Sequence, residues 1–345
     1  MKTEQHSFGT AETGQKVDLF ILSNNKGMTA KVTNFGGRIT ELDVPDKTGK
    51  SSNVVLGYDN LKQYEHKNPY FGATIGRVAN RIAGGHFQIE HKPYHTPVNN
   101  GPNTLHGGLL GFDRRVWQAD ETESAGQRVL RLRYVSPDGE EGFPGTMHAT
   151  ATFALTDNNE LRLEFMATCD LPTAVNMTNH SYFNLKGAGV GTILDHRITL
   201  HADQYTPCDM SLIPTGEIAS VKGTPYDFLQ PQTIGERIAQ TPSGYDTNYV
   251  LGGTSGHMRH AAKVEESTTG RVMEVHTTQP GIQFYSGNFL DGTLVGIGGA
   301  YPRHGAFCLE TQHFPDSVHH PNFPSTLLYP GKEYRESALY RFSTM

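Results

Sequence analysis

The stretch MHATATFALTDNNELRLEFMATC, residues 147–169, decides the fold class. Met147, Ala149, Ala151, Phe153 and Leu155 alternate with His148, Thr150, Thr152 and Ala154. After the polar turn Asp157-Asn158-Asn159 the alternation resumes, with Leu161, Leu163, Phe165, Ala167 and Cys169 against Arg162, Glu164, Met166 and Thr168. Successive side chains of a strand point to opposite faces. A period of two on both sides of a turn therefore reads as an antiparallel hairpin with one face buried.

The same period continues outward. Leu130, Leu132 and Tyr134 face in on a further strand, with Arg131 and Arg133 facing out. Near the C-terminus Tyr334, Glu336, Ala338, Tyr340 and Phe342 alternate with Arg335, Ser337, Leu339 and Arg341, and the pattern leaves open which face is buried. Helical signals are short. Asn60 to His66 reads as about two turns with Asn60 as N-cap, and Thr233 to Gln240 as another helix capped by Thr233, with Ile234 and Ile238 on one face. The 345 residues include 38 Gly and 19 Pro, with only 19% charged side chains, a turn-rich balance suited to many short strands. No internal repeat, low-complexity tract or linker interrupts the chain. The expected fold is all-β: a large antiparallel β-sandwich of layered sheets with few short helices, residues 1–345 forming a single domain.

Charge and composition exclude several classes. Lys plus Arg is 29 and Asp plus Glu is 35, so the formal charge is 29 − 35 = −6. Nucleic acid is not an expected partner, because binding it needs clustered positive charge. Nor is a membrane expected: neither a polybasic segment nor an apolar run of about 20 residues occurs. Residues from Met1 to Asp18 show no basic-then-apolar leader pattern, and Cys169, Cys208 and Cys308 are odd in number and far apart. A reducing cytoplasm is the expected compartment. The Asn176 and Asn179 sequons then read as chance matches. Gly49-Lys50-Ser51 lacks the first glycine of a phosphate loop, since that position is Val44. His257, His260, His319 and His320 form no zinc-ligand pattern, so no metal and no cofactor is expected.

Five segments place polar, titratable residues in apolar surroundings. Glu310 ends the run Ala306-Phe307-Cys308-Leu309. A carboxylate there is costly unless paired, and burial would raise its pKa toward the range of a general base. A structural ion pair is the alternative. His180 lies among Asn179, Ser181, Tyr182 and Asn184, groups that bind sugar hydroxyls or orient an imidazole, or that simply hold a structural histidine. His106 precedes two glycines that permit close approach of a ligand, and is otherwise a turn residue. Arg81 could direct guanidinium donors at a ligand oxygen or serve an ion pair. Asp246, between tyrosines in sequence, could accept hydroxyl protons or merely make a turn.

Together the segments GRVANRI (76–82), NTLHGG (103–108), TNHSYFNL (178–185), YDTNYVL (245–251), TQPGIQFYSGN (278–288) and CLETQHFPD (308–316) resemble, in order, those of the aldose 1-epimerases, the galactose mutarotase family. The resemblance runs from Asn34-Phe35-Gly36-Gly37 to Leu328-Tyr329-Pro330-Gly331. It implies a large β-sandwich and an enzyme that interconverts the α and β anomers of free aldohexoses. It assigns His180 as general acid, Glu310 as general base and His106 as the group assisting at the ring oxygen. It places Asn80, Arg81, Asp246 and Gln279 at the sugar, with Ser181 and Tyr182 flanking the acid and contributing to the sugar pocket. The implied partner is a free monosaccharide, with a monomer as the default state. Thr247 stands where the family often has histidine, and His313 at a variable position, departures that bear on sugar preference. A sugar-binding protein without catalysis, a hexose-6-phosphate epimerase and a glycoside hydrolase are the rivals. The first needs no His180–Glu310 pair, the second needs basic residues for phosphate, and the third needs two carboxylates at a set separation. An acid and a base acting together also predict a bell-shaped pH–rate profile.

Overall fold

The hairpin read from residues 147–169 is formed, with Met147 opposite Cys169 and Leu155 opposite Leu161. A computed structural model describes residues 1–66, 69–124, 127–254 and 256–345. The hairpin sits inside a nine-stranded sheet. Its order is Gln118–Ser124, Gln127–Ser136, Met147–Leu155, Glu160–Cys169, Tyr334–Thr344, Arg271–Thr277, Arg259–Glu265, Arg197–Leu200 and Gln232–Thr233. Every pairing in it is antiparallel. A second sheet runs Ala219–Ser220, Gln204–Tyr205, Asp246–Val250, Gly281–Tyr285 and Cys308–Gln312. A third holds the N-terminal strands Lys2–Thr10, Lys16–Ser23, Thr29–Thr33, Arg38–Pro45 and Ser51–Asn53.

One apolar cluster joins these layers. Leu132, Ala151, Phe153, Leu163, Phe165 and Tyr340 of the large sheet pack with Ile282, Phe284 and Leu309 of the second sheet and with Phe20, Val32 and Leu42 of the third. The C-terminal strand buries the face carrying Glu336, Ala338, Tyr340 and Phe342, and Leu339 is buried with them. Phe153 is fully buried in this cluster. Phe153→Ala is expected to cost about 3–5 kcal/mol of stability, read as a shift in the urea midpoint, because the cavity cannot close fully.

Of the two helices expected, one forms. Leu61–Glu65 is a single short helix, and the Asn60 side chain accepts the Gln63 N–H at 3.1 Å. The segment from Thr233 to Gln240 is not a helix. Thr233 ends an edge strand, the Ile234 and Gly235 amides donate to His196 O and Leu194 O, and only Ile238–Gln240 makes a 3₁₀ turn. Pairing outside the segment captures its first amides, and Gly235 permits an approach to Leu194 O that a Cβ would make at 2.9 Å. None of the described helices is long and apolar enough to cross a membrane.

Alternation in the second sheet creates the setting for a site. Ile282, Phe284 and Leu309 enter the core. Gln283, Tyr285, Cys308, Glu310 and Gln312 must then lie on the opposite face, where Gln283 stands across from Glu310 and Tyr285 from Cys308. Asp246 pairs with Tyr285 on the adjoining strand and so joins that face.

Candidate active site

Above this face lies a cleft enclosing roughly 580 Å³, lined in part by Asn80, Arg81, His106, His180, Asp246 and Glu310. These six residues are separated by up to 230 positions in sequence (310 − 80), and the sandwich brings them to one place. His180 ends the short strand Thr178–His180, which pairs with Ala73–Ile75. Its Nε2 lies 3.7 Å from Glu310 Oε2, and both side chains are almost wholly buried. Glu310 Oε2 and His180 Nδ1 have no hydrogen-bond partner among the described residues. Buried polar atoms are normally satisfied, so atoms left open at a cleft are poised for a ligand.

Burial governs the charge of the pair. It pushes the Glu310 carboxyl well above the usual carboxylate range, with the nearby Asp246 charge adding and Arg81 opposing. It lowers the His180 imidazole to about 3, with the Arg38 charge as a smaller contributor to that shift. Both shifts favour the neutral forms, so a proton shared by the pair is drawn to the carboxyl rather than to the imidazole. Asp246 is raised by burial, against Arg81 and a 2.6 Å hydrogen bond from Gln283 Nε2.

His106 is held by its neighbours in one tautomer. The Asn80 backbone N–H donates to His106 Nδ1 at 3.1 Å. The neutral ring must then carry its proton on Nε2, which becomes a donor. Burial keeps the ring neutral, lowering its pKa well below the ordinary value, with His180 and Arg81 adding to the effect. Asn80 and His106 both take left-handed backbone conformations, at φ 60° and 52°. Such strain concentrates at functional sites. Gly107, at φ 88°, approaches Gly76 O so closely that a Cβ would sit 2.0 Å from it. Arg81 is oriented by Asn100 Oδ1 at 3.0 Å and Asn80 Oδ1 at 3.4 Å.

Aromatic rings frame the acid. Tyr182 stacks on His180 with centroids 5.0 Å apart, Tyr70 stacks at 5.9 Å, and His106 meets it edge-on at 5.0 Å. Tyr285 and the exposed Phe289 complete the wall.

Two expected sugar contacts are placed elsewhere. Ser181 points away from the cleft, as alternation with His180 and Tyr182 requires, and its hydroxyl donates to Asn179 Oδ1 at 2.6 Å. Gln279 is fully buried and outside the lining. Its amide donates to Met177 O and Tyr334 Oη. Gln283, four residues on, takes the position beside Asp246 and opposite Glu310. Pro69, Tyr70, Asn100, Leu105, Tyr285 and Phe289 also line the cleft without having been singled out in sequence. Strand parity alone, with Ile282 and Phe284 inward, would have pointed to Gln283 and Tyr285.

His106, His180 and Glu310 each offer a ligand atom within 4.8 Å of the others, a grouping that invites comparison with a metal centre. The His106 tautomer argues against one. Metal-binding histidines usually donate the second ring N–H outward, whereas His106 Nδ1 accepts an amide and Nε2 holds the proton. The set instead suits a ligand rich in oxygens, with donors and acceptors alternating around it.

The layered antiparallel sandwich thus carries a buried carboxyl and imidazole side by side in its cleft, as a sugar-epimerising enzyme would require. Two solved structures share the fold. A galactose 1-epimerase from Lactobacillus acidophilus superposes with a TM-score of 0.87 at 25% identity, covering 99% of each chain. An aldose epimerase homologue from C. elegans gives 0.86 at 29% identity, covering 95% of this chain and 99% of its own. In sequence, the galactose mutarotase of Bos taurus is 48% identical over 329 residues, which are 95% of this chain and 94% of the bovine one. The aldose 1-epimerase of Escherichia coli K12 is 35% identical over 96% of this chain and 97% of its own. The aldose 1-epimerase family profile matches residues 18–341. The chain belongs to the aldose 1-epimerase family and is an enzyme, an epimerase.

Proposed function

We propose that the enzyme interconverts the α and β anomers of free aldohexoses such as galactose and glucose by acid/base-catalysed ring opening. The observation that carries this reading is the 3.7 Å approach of His180 Nε2 and Glu310 Oε2 at the cleft. The ring oxygen and the anomeric hydroxyl of a hemiacetal share one carbon. Their proton donor and acceptor must therefore also sit side by side. Glu310, as carboxylate, takes the proton from the C1 hydroxyl while His180, as imidazolium, protonates the ring oxygen. The C1–O5 bond breaks, giving the open-chain aldehyde with Glu310 protonated and His180 neutral. Rotation about C1–C2 presents the other aldehyde face, and closure reverses both transfers. Burial disfavours the charged pair at rest, so one proton moves from Glu310 to His180 before the step, and ring opening restores the burial-favoured pattern. The His106 Nε2–H and the Arg81 guanidinium supply hydrogen bonds to charge building on the ring oxygen. Asn80 and Asp246 are available to the remaining hydroxyls, and Gln283 holds Asp246 through its 2.6 Å hydrogen bond.

Among the described residues Arg81 is the one Lys or Arg side chain in the lining, against the carboxyls of Asp246 and Glu310, a balance suited to a neutral sugar rather than a phosphorylated one. On this reading the chain works as a single-domain monomer in a cytoplasm, on a diffusing monosaccharide and without a cofactor. The test is polarimetry on freshly dissolved α-D-galactose and α-D-glucose in weak buffer near pH 7. The protein is expected to accelerate the approach to equilibrium rotation on both sugars. Folded protein that accelerates neither overturns the proposal.

A further inference from the structure

We propose that Gln279 is a positioning residue that keeps the strand bearing His180 in register with the strand bearing Glu310; the inference rests on the acid/base reading above. The two strands are clamped at both ends. At one end Phe183 and Phe307 exchange both backbone hydrogen bonds, at 2.7 and 2.9 Å. His180 lies three residues before Phe183 and Glu310 three after Phe307. The antiparallel count therefore sets acid and base directly across from each other.

At the other end side chains do the clamping. Asn176 Oδ1 accepts the His313 N–H at 2.9 Å, and Asn176 Nδ2 donates to His313 O at 3.2 Å. Gln279 ties this end together with both of its side-chain polar atoms. Its Nε2 donates to Met177 O at 3.0 Å and Tyr334 Oη at 3.1 Å, and its Oε1 lies 2.8 Å from His313 Nδ1. Met177 O can only accept, which fixes the amide orientation. His313 must then carry its proton on Nδ1 and donate it to Gln279. Tyr334 Oη in turn accepts the Met177 N–H at 3.0 Å. Met177 stands three residues before His180, and His313 three after Glu310. Gln279 thus bridges the two strands through partners that each stand three residues from a reacting group. Its full burial removes it from the sugar, and a slip of about 1 Å at the chemistry can cost on the order of 10²-fold in rate.

The experiment compares wild type, Gln279→Ala and the milder Tyr334→Phe. It measures kcat and KM on galactose, together with the ¹⁵N resonances of the His180 ring. Gln279→Ala is expected to lower kcat by roughly 10- to 100-fold with KM unchanged. Tyr334→Phe should move the same way by less, and the His180 resonances should shift in both. A raised KM with kcat retained would make Gln279 a sugar contact and overturn the inference. So would unchanged kinetics with an unmoved His180 resonance. If Gln279→Ala does not fold, Tyr334→Phe decides. If wild type itself shows no turnover, the mutarotase reading fails. The clamp is then judged by the His180 resonances alone, and their constancy overturns it.

Discussion

Glu310→Gln is expected to leave the fold and sugar affinity intact while lowering kcat by about 10²–10⁴-fold, the range one proton transfer supplies. Glutamine keeps the shape and the oxygen that faces His180 but cannot accept a proton. Stability should move the other way. The Glu310 carboxyl is buried and its pKa is raised well above the carboxylate range. A carboxyl raised in the folded state adds stability that is complete below its unfolded pKa. That stability is lost as pH rises through the folded pKa. Glutamine has no such loss. The variant's melting temperature should therefore exceed that of wild type at alkaline pH, and the gap should close as pH falls into the ordinary carboxylate range. Polarimetric kcat and thermal melts at both ends of that range check the two halves. Full turnover in the variant removes Glu310 from the base role, and a variant less stable than wild type at alkaline pH contradicts the burial argument.

The hairpin at residues 147–169 was legible because one face of it meets water. There, polar and apolar side chains must alternate, and the register in the structure follows that alternation residue for residue. The same rule was available, unused, for the Gly281–Tyr285 strand. Ile282 and Phe284 face the core, so Gln283 and Tyr285 lie on the sheet face that carries Glu310, and Tyr285 reaches the cleft. The resemblance pointed to Gln279 in that segment, four residues before the glutamine that reaches Asp246. Ser181 failed for the same reason, since it lies between two residues that share the opposite face. The expected helix at Thr233 to Gln240 failed for a different one. Its spacing suits a helix, but hydrogen bonds to His196 and Leu194 from a neighbouring segment override local preference. Asn100, Tyr70 and Phe289 carried no local signal. They come from turns, and only the packing of three sheets brings those turns to one mouth. His180, Glu310, His106 and Arg81 were found because the resemblance named them. Their residue types alone left structural roles open, and what the structure adds is their proximity and the unpaired atoms between them.

That proximity reshapes the expected pH dependence. A pair 3.7 Å apart titrates as a unit, and the active form is the one that holds a single proton, whichever partner carries it. Activity is lost on the acid side when a second proton reaches His180 and on the alkaline side when Glu310 loses the only one. An ordinary histidine would set the acid limb near 6.5, but burial lowers His180 to about 3. The kcat/KM of wild type should therefore hold on the acid side well below the range of a free histidine and fall on the alkaline side beyond the raised pKa of Glu310. The expected curve is a bell whose acid limb lies far below that of an ordinary histidine. His180→Asn should lower kcat by about 10²–10⁴-fold and also change the shape of the curve. Without the imidazole the pair's proton belongs to Glu310 alone, which must be ionised to act. Residual activity should then rise with pH through the Glu310 titration instead of falling. Rates across pH for wild type and the variant decide this. An acid limb near that of a free histidine would mean that water reaches His180 in the working enzyme, and an unchanged profile in the variant would remove His180 from the proton relay.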